Sequence, residues 1–134
     1  MKTFFCVAAF VTLALGIGWL LFPSEMLTLW GATPDGVATY IGRRYGALML
    51  GYTAILWHSR NASASPARGA ILAGAALVTA MLAILSLIGA LTAVVSPAVW
   101  IAVVIEGLLA SGFLYYFVTT GVAPRDRDKP VRAR

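Results

Sequence analysis

Long stretches without charge are the feature that most limits the fold of this chain. No residue from Gly69 to Ile105 is charged, and none is from Thr3 to Phe22. A helix needs about 20 apolar residues to cross ~30 Å of hydrocarbon. The run at the start of the chain has this length. The later run is too long for one crossing and divides at Ser96-Pro97, a capping residue followed by a first-turn proline.

The composition indicates that lipid, and not water, surrounds most of the chain. Of the 134 residues, 60% are hydrophobic and 11% are charged, whereas roughly a quarter of an ordinary soluble domain is charged. So few polar residues cannot form the outer shell that a soluble core needs. The sequence therefore predicts an integral membrane protein.

Two further helices are predicted between the charge-free runs. Ser24 as a cap and Gly31 as a stop predict a short amphipathic helix at the membrane surface over 24–30. Thr33 as a cap, with Pro34 in the first turn and Asp35 at the positive end of the helix dipole, predicts the start of another span, which ends near His58 before a polar loop. The predicted fold is all-α, an integral membrane four-helix bundle. Its spans are about 3–22, 35–58, 69–91 and 97–118, in a membrane domain of residues 1–120 followed by a basic disordered tail, 121–134.

The basic residues predict which way the bundle faces. Eight of them fall on one side of a four-span arrangement, and the two connections on the other side, 23–36 and 92–96, contain no Lys or Arg. Basic residues favour the cytoplasmic side, so both termini are predicted to be cytoplasmic, in a bacterial inner membrane. The basic tail is expected to contact anionic headgroups. The eight are Lys2, Arg60, Arg68, Arg125, Arg127, Lys129, Arg132 and Arg134.

The start of the chain has an alternative interpretation as a cleaved signal peptide. Lys2 would form its basic region, and Gly16-Ile17-Gly18 has the small-x-small form of a cleavage site. The apolar run continues to Phe22, however, and is long enough to span. We therefore favour an uncleaved first span.

Three ionisable residues fall inside the predicted spans: Arg43, Arg44 and Glu106. Charges within a membrane are costly and are usually paired or functional. At 1.5 Å per residue all three lie in the outer half, so an ion pair between spans two and four is predicted. On a helical wheel Arg43 lies among small residues and is expected to point into the bundle, with Arg44 at its flank.

Small residues at helical spacing predict where the spans pack, because lipid gives helices little other reason to associate. Span one offers Ala8, Thr12 and Gly16. Span two offers Gly42 with Gly46 and Ala47 with Gly51. Span three offers Gly69, Ala73, Ala76, Ala80 and Ala83.

The sequence contains no recognisable catalytic or metal-binding constellation. His58 and Cys6 are each the single residue of their type and are too isolated for a metal site. No nucleophile elbow or phosphate-binding Gly-rich loop occurs. We predict no catalytic residues, no metal, no cofactor and no nucleic-acid partner.

The stretch from Pro23 to Arg60 and the Glu in the last span carry a family resemblance. The first part reads FPSEMLTLWG and the second RRYGALMLG, with the likeness carried by Arg43, Gly46, Leu50 and Gly51. This pattern resembles small bacterial four-helix membrane proteins of the DoxX-like type and related uncharacterised families. The resemblance implies a four-helix bundle, and some of these relatives are linked to redox or quinone-associated membrane systems.

Three functions remain open at this level. The first is non-enzymatic: binding of a lipid, a quinone or a partner membrane protein in an outer-leaflet pocket between spans two and four. The second is a small dimeric proton-coupled transporter that uses Glu106. The third is an enzyme on a lipid or isoprenoid substrate, which a structure with Tyr45 or Tyr52 directed at Glu106 would favour. The candidate ligand-binding residues are Arg43, Arg44, Glu106 and Tyr45.

Overall fold

The computed structural model describes residues 1–121. Over this range the chain is helical and contains no strand. The predicted tail lies outside the described residues, apart from Gly121. The elements are α1 (Lys2–Leu21), α2 (Pro23–Leu29), α3 (Gly36–Ser59), α4 (Pro66–Leu91), α5 (Val99–Tyr116) and a π-helical turn, Phe117–Gly121.

Among the described residues, three helices are long and apolar enough to cross a membrane. They are α1, α4 and the segment Val99–Thr120, which continues α5 into the π-helical turn. Apart from Lys2 and Arg68 in their first turns, α1 and α4 lie in the charge-free runs of the sequence, whereas Val99–Thr120 begins in the second run and contains Glu106. Helix α3 has 24 residues but is not among the three, because Arg43, Arg44 and several hydroxyl-bearing residues make it more polar. A fourth crossing by α3 stays a prediction.

The helices α2 and α3 begin near the positions predicted from the sequence, but their predicted capping residues are wrong. Helix α3 is capped by Asp35, whose carboxylate accepts a hydrogen bond from the Ala38 amide at 2.7 Å. The prediction of a Thr33 cap with Pro34 in the first turn is therefore wrong. The Ser24 cap is also wrong, because α2 begins one residue earlier, after Phe22, with Pro23 in its first turn.

The cap of α3 can be tested directly. We expect Asp35→Ala to lower the free energy of unfolding by about 1 kcal/mol, because the substitution removes the acceptor for an otherwise unpaired amide. Thr33→Ala is the matched control and should have little effect. Chemical unfolding in detergent, followed by circular dichroism, measures both. A larger loss for Thr33→Ala would contradict the assignment of the cap.

The helices pack as two pairs, α1 with α3 and α4 with α5. In the first pair the backbones approach closely at Gly16 and Gly46, while the Trp19 ring packs against Gly42. A Cβ atom on Gly46 would lie 2.6 Å from the Leu20 amide nitrogen and 2.8 Å from the Gly16 carbonyl oxygen. The hydroxyls of Thr12 and Thr53 also meet, at 2.8 Å.

The small-residue predictions therefore have mixed outcomes. Ala8, Thr12 and Gly16 are buried, as is the pair Gly42 and Gly46. The second pair predicted for the same helix is exposed: Ala47 is exposed, and a Cβ on Gly51 would meet no atom within 4 Å. In α4 the buried residues of this face are Gly69, Leu72, Ala75 and Thr79. Of the row predicted from the sequence, Gly69 is therefore buried, whereas Ala73, Ala76, Ala80 and Ala83 are half-buried.

The two pairs meet in an apolar core near the end of the bundle at which Met1 lies, hereafter the Met1 end. Phe113 of α5 is 0% exposed and makes edge-to-face contacts with Phe4 and Phe5 of α1, with ring centroids 4.9 and 5.8 Å apart. All four long helices contribute to the buried cluster. Its members are Phe5, Ala8, Ala9, Leu56, Leu72, Ala75, Leu109 and Phe113.

A buried arginine closes the Met1 end. Arg68 is 8% exposed and donates to the Ala62 carbonyl at 3.3 Å and to the Thr120 hydroxyl at 2.6 Å. The Thr120 hydroxyl also lies 4.0 Å from the sulfur of Met1. These contacts hold the start of α1, the start of α4 and the π-helical turn together.

At the opposite end, hereafter the α2 end, a short contact joins the two pairs again. The Ser96 amide donates to the Trp30 carbonyl at 2.9 Å, and the Ser96 hydroxyl donates to the Leu29 carbonyl. Gly31 has a φ of +82°, and a Cβ there would lie 3.2 Å from the Ser96 nitrogen. A residue without a side chain is needed at this turn. The contact links the end of α2 to the α4–α5 loop.

Candidate functional site

A cavity of about 640 Å³ lies between the two helix pairs at the α2 end. It lies between the apolar core that joins the pairs near one end and the Ser96 contact that joins them at the other. Its volume is in the range of sites for small molecules, about 300–1,000 Å³. The residues around it are Leu15, Trp19, Met26, Leu27, Leu29, Trp30, Ala38, Ile41, Gly42, Tyr45, Leu82, Leu85, Ser86, Gly89, Val95, Ala98, Val99, Ile101, Ala102, Ile105 and Glu106.

Glu106 is the acidic group of the cavity. It lies on α5 and is half-buried, and one carboxylate oxygen, Oε2, accepts a hydrogen bond from the Ser86 hydroxyl at 2.7 Å. Ser86 is itself buried on α4. The hydrogen bond therefore forms inside the α4–α5 pair and directs the carboxyl group to the cavity wall.

Tyr45 supplies a second polar group to the same cavity, from the other helix pair. Its ring packs edge to face on Trp19, with centroids 5.7 Å apart, and both residues line the cavity. The structure thus brings Tyr45 and Glu106 to one site from α3 and α5. Tyr52 does not line it; its hydroxyl is buried, with no hydrogen-bond partner in the described part of the chain.

The two arginines are not part of this cavity. Arg43 and Arg44 are both exposed, and Arg44 lies with its guanidinium carbon 5.9 Å from the centroid of the Tyr40 ring. The prediction that Arg43 points into the bundle is wrong, because Gly42 and Gly46 face α1 and the next residue is turned about 100° away. The structure does not bring Arg43 to Glu106, whose hydrogen-bond partner is Ser86.

The cavity is therefore acidic and otherwise apolar. Among the described residues that line it, none is Lys, Arg or His, and Glu106 is the one carboxylate. Tyr45 and Ser86 add hydroxyl groups to a wall formed by aliphatic and indole side chains. Such a surface can hold an apolar molecule and form one or two hydrogen bonds with it.

A second, smaller cleft of about 400 Å³ lies between α1 and α3, towards the Met1 end. His58 is one of its lining residues, together with Trp57 and the exposed Phe10. Within residues 1–121 no group of three or more His, Cys, Asp and Glu is placed to hold a metal ion. Cys6 is a half-buried free thiol.

Comparison with known families gives one match. A family model described as a domain of unknown function, DUF8292, matches residues 1–118. The chain belongs to this family. No curated protein and no solved structure matches it. None of these comparisons tests the resemblance to DoxX-like proteins, which stays a prediction. For this DUF8292 protein, the site must be judged from its own geometry.

Sequence reasoning missed Ser86, although a signal for it was present. Ser86 lies roughly 8 Å along α4 from Leu91, and Glu106 roughly 10 Å along α5 from Val99, at 1.5 Å per residue. The two helices are antiparallel neighbours, so both residues occupy the same layer. The depths of the three charged residues were compared along their helices. Had hydroxyl groups been included, the same comparison would have paired Glu106 with Ser86.

Proposed function

We propose that this DUF8292 protein is a non-enzymatic integral membrane protein that binds an amphiphilic ligand, a lipid or a quinone, in the cavity between its helix pairs. The observation that carries the proposal is the combination of a cavity of about 640 Å³ with Glu106 and Tyr45 at its wall. Ile41, Leu85 and Ile101 line the cavity and are also exposed, so the cavity opens at the surface of the bundle and an apolar molecule can enter it from the lipid.

We propose further that α3 is the fourth crossing of a bacterial inner membrane, with the α2 end outside. Lys2, Arg60 and Arg68 belong to segments at the Met1 end, which supports a cytoplasmic position for that end. Arg43 and Arg44 are exposed, and helical side chains lean towards the helix N-terminus. In this orientation they extend towards outer headgroups and reduce the cost of their charge.

The ligand proposal is tested by filling the cavity. Ala98 and Ala102 line it on one face, and we expect Ala98→Phe/Ala102→Phe to reduce bound ligand at least about tenfold, which corresponds to ~1.4 kcal/mol. Val104→Phe/Leu108→Phe is the matched control, because these residues have the same spacing but are 58% and 68% exposed. Native mass spectrometry from mild detergent reports the bound molecule and the stoichiometry of the protein.

Retention of ligand by the filled variant would contradict the proposal, as would wild-type protein that carries no ligand and takes up no added lipid or quinone. Loss of ligand in both double variants would also count against it, because the exposed pair does not contact the cavity.

A proton-coupled transporter is the second candidate, and the half-buried carboxylate of Glu106 at the cavity wall favours it. In proteoliposomes, proton-coupled flux should be lost in Glu106→Gln if the carboxyl group carries the proton. Flux that does not change in this variant would exclude Glu106 from that role.

A further inference from the structure

We infer that the ligand of the cavity has a headgroup that donates a hydrogen bond and is not anionic, such as a hydroxyl or an amine on an apolar chain. This inference rests on the proposed function and narrows it, because lipids and quinones as classes include anionic headgroups and headgroups that only accept hydrogen bonds. It follows from the chemistry of the few polar atoms at the cavity wall.

The first step concerns the free acceptor at Glu106. Oε2 is occupied by the Ser86 hydroxyl, whereas Oε1 has no hydrogen-bond partner among residues 1–121. A carboxylate oxygen accepts hydrogen bonds and strengthens those that it accepts. A ligand O–H or N–H group placed at Oε1 satisfies the ionised carboxylate, whereas a quinone carbonyl or an ether oxygen would require Glu106 to be protonated.

The second step concerns the donors that an anion would need. Phosphate and carboxylate groups are recognised by arginine and lysine, and no described residue that lines the cavity is basic. Arg43 and Arg44 are exposed on other faces of α3. An anionic headgroup in the cavity would therefore meet Glu106 without a compensating cation.

The third step concerns depth. Glu106 lies roughly 10 Å along α5 from Val99, at 1.5 Å per residue. A headgroup that reaches it leaves the level of the bilayer headgroups and enters apolar surroundings. Burial of a hydroxyl costs a few kcal/mol at most if it is hydrogen-bonded, whereas burial of an unpaired phosphate costs far more. Depth and charge therefore select the same class of headgroup.

The Tyr45 hydroxyl completes the recognition. Tyr45 lines the same cavity from α3, and its hydroxyl can donate as well as accept. An alcohol can donate to Glu106 and accept from Tyr45, which uses both groups across the gap between the helix pairs. The ligand would then connect α3 with α5, which the described hydrogen bonds do not.

The experiment compares probes that share one chain and differ in headgroup: dodecanol, dodecylamine, dodecanoate and dodecyl methyl ether, each with bromine at the chain end. Bromine quenches tryptophan fluorescence at short range. Trp57→Phe/Trp100→Phe leaves Trp19 and Trp30, both of which line the cavity. Titrations are carried out with this protein in nanodiscs of phosphatidylcholine, and the filled variant Ala98→Phe/Ala102→Phe in the same background gives the signal from lipid alone.

We expect dodecanol and dodecylamine to bind at least about tenfold more tightly than the ether or dodecanoate, a difference of ~1.4 kcal/mol. Glu106→Leu should abolish this preference, because it removes the acceptor. Ser86→Ala is the second variant, and because it frees Oε2 it should retain the preference for donors.

Two results would overturn the inference. If the ether or dodecanoate binds as tightly as dodecanol, the headgroup assignment is wrong, while the proposal of a ligand cavity stands. If no probe quenches the wild-type background more than the filled variant, the ligand cavity itself is wrong, and the inference fails with it.

Discussion

Gly46→Leu is expected to separate α1 from α3 and to lower the free energy of unfolding by ~3 kcal/mol or more. Overpacked sites typically cost 1–3 kcal/mol, and this site is at the upper end because the atoms in the way are backbone atoms. A Cβ alone would lie 2.6 Å from the Leu20 nitrogen, so the helices must move apart. Unfolding in detergent, followed by circular dichroism, measures the loss.

Gly51→Leu is the control for this substitution. It lies on the same helix and makes the same change in side chain and helix propensity, but a Cβ there meets nothing within 4 Å. We expect a change within about 0.5 kcal/mol, as for surface sites, with a slight gain because leucine favours helix more than glycine does. Equal losses at Gly46 and Gly51 would show that the helices do not pack through Gly46.

Phe113→Ala is expected to weaken the junction between the two helix pairs, at a cost of about 2–3 kcal/mol. A buried Phe→Ala change in a soluble protein costs about 3–5 kcal/mol, but lipid is itself apolar, so the loss is mainly that of packing contacts. Two aromatic contacts across the pairs disappear, those with Phe4 and Phe5. The same unfolding measurement should show this loss of stability. Cross-linking between α1 and α5 should also become less specific.

Phe10→Ala is the matched control, since Phe10 is 61% exposed and contacts Trp57 of its own helix pair. Its loss should be below about 1 kcal/mol, the worth of one aromatic contact. A cost for Phe10→Ala equal to that for Phe113→Ala would show that the pairs are not joined through the Phe113 cluster.

The sequence was sufficient for the helices because charge and length are local properties. Charge-free runs located α1, α4 and α5 to within a few residues, and Gly31 marked the end of α2. Capping residues were less certain, as Thr33 and Asp35 illustrate, since several adjacent residues can each cap a helix. The long apolar helices could thus be predicted from composition and from the residues that begin or end helices.

The directions of side chains could not be predicted in the same way. Helix α3 carries two sets of small residues on different faces, and the wheel gives no reason to prefer Gly42 with Gly46 over Ala47 with Gly51. The choice is made by the partner helix, whose Gly16 opposes Gly46. With the wrong set included, Arg43 was assigned to the interior. The error therefore came from tertiary packing, which sequence periodicity does not contain.

Two members of the site were predicted and one was not. Glu106 and Tyr45 both line the cavity, while the role of each in binding stays a prediction. Ser86 was overlooked because a single hydroxyl in an apolar run is common and can bond to its own backbone. It became informative only when α4 and α5 were seen to be neighbours.

The contact between Ser96 and Trp30 determines how freely the surface at the α2 end can change in evolution. Its amide-to-carbonyl bond uses main-chain atoms, so most substitutions at either position leave the bond intact. Proline at 96 would remove the donor, and any side chain at 31 would be strained at that φ. Side chains at the α2 end can therefore change while the contact that joins the two helix pairs there is kept.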